Sequence, residues 1–253
     1  MSGFYALPLG VIAFVILAAL LAAATLGYRG HRWLLERRDE TDTESHDHLL
    51  AAVLGLLALL LGFTFSLSLN RYETRRQLVV QEANALDTTW LRAQLLDPSN
   101  RQEISGLLRD YLDARLDWSE ADTPETAVRT NALERKLWAA TGRVMRSDTS
   151  PLLSRALMDA VTEDFDMADT RSAARLAHVP DRVLNVLFLY ALLSAAMLGY
   201  TSAAKGKPQR IATSAVLTLL TLAMVMILDI DRPRTGAITV TQQPMEELKQ
   251  SWR

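Results

Sequence analysis

Long apolar runs alternate with strongly charged stretches along this chain. Four runs, residues 4–28, 49–70, 183–204 and 211–228, contain no charged side chain. A helix needs about 20 apolar residues to cross the hydrocarbon core of a bilayer, and each run reaches or approaches that length. The pattern predicts an integral membrane protein with four transmembrane helices, two on either side of a long polar stretch. The first run has no Lys or Arg before it, so it reads as a retained helix and not as a cleaved signal. The hairpin 205–210 is too short for spans three and four to be anything but antiparallel neighbours.

No helix breaker follows the second run. Helix-forming residues continue until Asp97-Pro98-Ser99, which predicts one helix over 49–96, roughly 70 Å long at 1.5 Å per residue. Three further helices are expected in the polar stretch. The first covers 101–118 with Ser99 as its cap and an apolar stripe of Ile104, Leu107, Leu108, Tyr111, Leu112 and Leu116. The second covers 127–146, and the third starts at Pro151 and runs to 178. A short extended piece, 237–241, precedes a terminal helix over 245–252. Strand alternation is not sustained, so the fold class is all-α. The expected organisation is a first transmembrane pair over 1–70, a helical, cytosolic domain over 71–182, a second pair over 183–230 and a tail over 231–253.

Composition narrows the function more than it names it. The net charge of -2 and the lack of a nucleic-acid-binding pattern exclude that partner class. The absence of cysteine removes disulfides and thiolate chemistry. No phosphate-binding glycine loop, nucleophile elbow or metalloprotease helix motif occurs, so the chain does not read as an enzyme and no cofactor is expected. Carboxylates at Glu163, Asp164, Asp166 and Asp169, and the histidines His46 and His48 among acidic neighbours, leave metal binding open without specifying it. Basic residues near the helix ends number seven on the short-loop side and eight on the other, which leaves the membrane orientation undetermined.

The membrane boundaries carry the candidate chemistry. Thr64 and Ser68 share one face of span two, and Arg71 and Arg75 follow near it. In a symmetric oligomer this face would form hydroxyl rings and then a basic vestibule favouring anions, with Phe63 and Phe65 constricting the route. At the end of span four, Asp229, Asp231, Arg232 and Arg234 form a boundary clamp, because carboxylates at the end of an apolar helix need water or a cation. Glu82, Asn84 and Asp87 form a polar part of the long helix, suited to contacts between helices or subunits.

Gly62-Phe63-Thr64-Phe65-Ser66-Leu67 with Asn70-Arg71-Tyr72 and Glu82-Ala83-Asn84-Ala85-Leu86 resembles the first signature of the bestrophin-like domain family of bacteria and plants. Asp229-Ile230-Asp231-Arg232-Pro233-Arg234-Thr235-Gly236 with Gln242, Gln243 and Pro244 resembles its closing signature. The resemblance extends more remotely to bestrophin chloride channels. It implies a pentamer with an ion pathway on its axis lined by span two, and contacts with membrane lipids and inorganic ions. The lack of a nucleotide or coupling site makes the expected transport passive, and chain length with no transit-like, Arg-rich N-terminus points to a bacterial cytoplasmic membrane. The alternative reading is a non-conducting scaffold or sensor that binds a protein through its helical domain.

Overall fold

The computed structural model describes residues 7–35, 43–121, 123–147, 149–204, 210–233 and 236–252. Among them are eight helices and no strand: α1 (Leu9–Leu35), α2 (Thr43–Ala93), α3 (Pro98–Glu120), α4 (Pro124–Val144), α5 (Pro151–Leu176), α6 (Asp181–Ala204), α7 (Arg210–Asp231) and α8 (Gln243–Ser251). The expected extended piece at 237–241 is non-helical but pairs with nothing as a strand. The chain forms two compact units. One comprises residues 1–71 and 178–239, the other 72–177 and 240–253. Helix α2 is 51 residues long and contributes to both, so the chain leaves its apolar run without a stop.

In the first unit α1, the first part of α2, α6 and α7 pack around Ile12, Ile16, Leu20, Leu57, Leu187, Ala191, Leu217 and Ile227. Their outward residues are also apolar: Phe14, Leu26, Leu59, Phe63, Leu189, Leu193, Leu219 and Leu222 are exposed. Water would penalise such a surface, whereas lipid does not distinguish it from the interior. All four helices are long and apolar enough to cross a membrane. The tightest approach is between α1 and α6. A Cβ at Gly27 would lie 1.8 Å from the Ala196 carbonyl oxygen, and one at Gly199 would lie 1.9 Å from that of Ala24. Glycine is therefore required at both positions for the backbones to touch.

The second unit is built by caps and by an apolar core. Asp97, and not Ser99, caps α3: its carboxylate accepts from the Ser99 and Asn100 amides, and Pro98 takes the first helical position. Proline has no amide to satisfy there, which moves the start of the helix ahead of the expected one. Thr123 and Thr126 form a reciprocal capping box that starts α4 at Pro124. The core joins Val79, Ala83 and Leu86 of α2 to Ile104, Leu108 and Tyr111 of α3, Leu137 of α4, Leu157 and Val161 of α5 and Met245 of α8. Trp252 at the end of α8 stacks on Trp90 with ring centroids 4.5 Å apart, and its indole NH donates to Asp87 at 3.4 Å.

Candidate functional site

Helix α2 has two opposed faces along its length. Leu57, Thr64, Ser68, Arg75, Leu78, Glu82, Leu86, Thr89 and Ala93 are buried within the chain. On the other side Ala52, Leu56, Leu59, Phe63, Ser66, Asn70, Gln77, Val80, Asn84 and Leu91 are exposed, with Glu73 and Asp87 half-buried in the same register. These residues recur at alternating intervals of four and three, which keeps them on one side of the helix along a slowly drifting line. The line is apolar through Phe63 and polar from Ser66 to Asn84, apart from Val80. Only 11% of the most apolar window of α2 is buried, against 22–33% for the other three spans, so α2 is the least covered of them.

The residues singled out from the sequence divide between these faces. Phe63 is 65% exposed, whereas Phe65 is half-buried against the first unit's core. Thr64 is 4% exposed and its hydroxyl donates to the Leu60 carbonyl at 2.7 Å. Ser68 is fully buried, and its hydroxyl has no hydrogen-bond partner. Arg75 is buried and Arg71 half-buried, on the same side as Thr64 and Ser68. The face that collects hydroxyls and arginines in the sequence is thus the inward face. Both faces carry hydroxyls two residues apart, Ser66 outside and Ser68 inside, and hydropathy alone does not separate them.

Glu82 stands at the centre of a buried polar cluster. Its Oε1 accepts from Arg115 Nε and its Oε2 from Arg171 Nη1, each at 2.5 Å. Arg171 also donates to the Gln242 side chain, and Arg115 to the Ala168 carbonyl at 3.4 Å. The guanidinium carbons of Arg115, Arg171 and Arg175 lie 4.3, 5.3 and 4.2 Å from the Trp118 ring centroid. Burial alone would raise the Glu82 carboxyl, but the two guanidiniums outweigh it and hold the group below its ordinary value. The cluster ties α2, α3, α5 and the segment before α8 together. The sequence points to Glu82 but not to Arg115, Arg171 or Trp118, which lie far from it along the chain. Asp87 binds Trp252, while Asn84 is exposed on the outer line.

Asp164 is the second buried acid of this unit. It is fully buried, and neither carboxyl oxygen makes a hydrogen bond. Burial pushes it up to about 8, with the Glu82 and Glu163 charges adding to the rise. Among the described residues no group of three His, Cys, Asp or Glu could hold a metal ion, so the acidic run on α5 does not assemble a site there. Residues 39–42 of the acidic, histidine-containing link lie outside the described residues, as does the side chain of His46.

The described residues of the span-four signature include three that bond to backbone groups. Asp229 Oδ1 accepts from the Ala237 amide at 3.0 Å, and a Cβ at Gly236 would lie 1.9 Å from that oxygen. Asp231 Oδ1 accepts from the Val179 amide at 3.0 Å, with His178 Nδ1 3.4 Å from Oδ2. Arg232 donates to the Leu7 carbonyl at 2.9 Å. These bonds pin the start of α6, the turn after α7 and the segment before α1. The sequence suggests water or a cation for each carboxylate; Asp229 takes a backbone amide. Arg234 lies outside the described residues.

These features define a multi-pass helical membrane protein with a polar helical unit built on the extension of its second span. The model of the Bestrophin-like domain matches residues 13–245, and the chain belongs to this family. Its fold is similar to a crystal structure of a bacterial bestrophin homolog from Klebsiella pneumoniae, at 14% identity and TM-score 0.71, covering 94% of this chain and 96% of that one. A variant of that homolog gives a TM-score of 0.72 at 14% identity, covering 94% and 96%. A variant described as a membrane protein gives 0.72 at 13% identity, covering 94% and 97%. No match was found among curated proteins.

Proposed function

We propose that the chain is one subunit of an oligomeric ion channel whose axial route is lined by the exposed line of α2. The observation that carries this reading is that line itself: Leu56, Leu59 and Phe63, then Ser66 and Asn70, on the least covered span of a family of membrane proteins. A 4-3 spacing is the one that lets helices meet along a common seam or axis. The apolar residues supply a constriction, and Ser66 and Asn70 offer oxygen dipoles below it. Thr64 and Ser68 turn inward, so the polar side chains of this pathway are those of Ser66 and Asn70. Arg71 and Arg75 also sit off the line. The Arg76 guanidinium is taken up by Glu73 at 3.0 Å, so no preference for anions is built into this face by those side chains. A pentamer and a cytosolic position for the polar unit remain part of the reading through the family.

The test is paired chloride and potassium flux from liposomes holding the purified oligomer. Phe63→Ala is expected to raise flux of both ions, and Ser66→Ala or Asn70→Ala to change their ratio. Thr64→Val is expected to leave the ratio unaltered. No flux across voltage and pH from a folded oligomer would move the reading to a non-conducting scaffold or sensor.

A further inference from the structure

One cleft in the first unit plays no part in the proposed pathway. It opens between α1, α6 and α7, with a volume of about 520 Å³, and its lining includes Ala24 and Gly199 together with Arg29, Arg32, Arg210 and Thr213. The same Gly199 that lets α6 press against α1 leaves no side chain over the cleft wall. Among the described residues no carboxylate lines it, and the first described turn of α7 holds no acidic residue. Three guanidiniums therefore make the cleft positive. Arg29, Arg32 and Arg210 are exposed and form no ion pair with a described residue. The position of the cleft is equally telling. The apolar run of α1 ends at Tyr28 and that of α7 begins at Ile211, so the arginines stand at a membrane boundary, next to the exposed apolar side chains of Leu21, Leu26 and Ile211.

We propose that this cleft binds the phosphate headgroup of an anionic glycerophospholipid. Arg29, Arg32 and Arg210 hold the phosphate, and the acyl chains run along the apolar surface of α1 and α7. Guanidinium forks match phosphate oxygens in geometry as well as in charge. The cleft lies within the roughly 300–1,000 Å³ of sites that bury a ligand of this size. A free phosphate shares the headgroup chemistry but leaves the adjoining apolar surface unused, which is why the lipid is the occupant named.

The experiment is lipid retention by the intact protein, purified from mixed phosphatidylglycerol and phosphatidylcholine nanodiscs and read by native mass spectrometry. Phosphatidylglycerol is expected to be enriched. A triple variant, Arg29→Gln with Arg32→Gln and Arg210→Gln, is expected to lose that enrichment altogether. Thr213→Trp fills the cleft and leaves every charge in place; it is expected to lose enrichment as well, with an unchanged elution volume and melting temperature. If Thr213→Trp keeps the enrichment, the attraction is diffuse and the site is refuted. Equal retention of the two lipids overturns the proposal outright. So does displacement of phosphatidylglycerol by millimolar inorganic phosphate, which would assign the cleft to a free anion.

Discussion

Replacing Asp164 with Asn is the perturbation that most directly tests the interior of the polar unit. The carboxyl is fully buried without a hydrogen bond, and it titrates at about 8 instead of 3.8. The folded protein therefore holds a proton there between pH ~4 and ~8 that the unfolded chain has released, and the native chain loses stability as pH rises through that window. Each tenfold change in proton affinity is worth about 1.4 kcal/mol, so the rise sets a ceiling of roughly 6 kcal/mol by pH ~8. Screening within the polar unit offsets about half of this, leaving about 3 kcal/mol. The Asp164→Asn side chain is neutral at every pH and carries none of this slope. The assay is thermal unfolding of both proteins in detergent from pH 4 to pH 9, followed by tryptophan fluorescence. About 3 kcal/mol corresponds to roughly 6–12 °C for a chain of this size. The gap between the two proteins should shift by that amount in favour of the Asn variant between pH 4 and pH 8. The absolute level at pH 4 is not informative, because a buried amide has its own cost. A gap that stays constant across the window would refute the reasoning.

Three other perturbations follow from the same structure. Glu82→Gln leaves the Arg115 and Arg171 guanidiniums buried without their counter-charge and is expected to cost about 3–5 kcal/mol in denaturant unfolding. Because the carboxyl is held low, the native stabilisation persists above the ordinary carboxylate range and fades only as pH falls through the lowered value, so the gap should narrow in acid. Gly199→Ala sets a methyl against the Ala24 carbonyl and is expected to reduce the yield of monodisperse protein sharply; Gly10→Ala, which meets nothing within 4 Å, should match the native chain on size exclusion. Trp252→Ala removes the stack on Trp90 and the bond to Asp87, at an expected cost of about 3–5 kcal/mol, and limited proteolysis should then cut α8 first.

What the sequence determined by itself is what depends on neighbours along the chain. The four spans follow from uninterrupted apolar runs, and the uncapped passage of span two into the polar unit follows from the absence of any breaker before Asp97-Pro98. The start at Pro151 sits where the proline puts it, whereas α3 and α4 each begin about one turn ahead of the expected 101 and 127, because Asp97 and Thr123 cap prolines at the first helical position. The glycine of the closing signature also has a local reason, because Gly236 and Asp229 meet across a short stretch of chain. Tertiary structure decided the rest. Both faces of α2 offered hydroxyls, and only packing in three dimensions turned Thr64, Ser68 and Arg75 inward and left Phe63, Ser66 and Asn70 outside. Glu82 found its partners 33 and 89 residues away, at Arg115 and Arg171. Asp164 sits among acids that all look solvated in sequence, yet it alone of the four acids singled out on α5 is buried. Charge and hydropathy are properties of a residue, but burial and partnership belong to pairs of helix faces, and it is the choice of facing surfaces that the linear pattern leaves open.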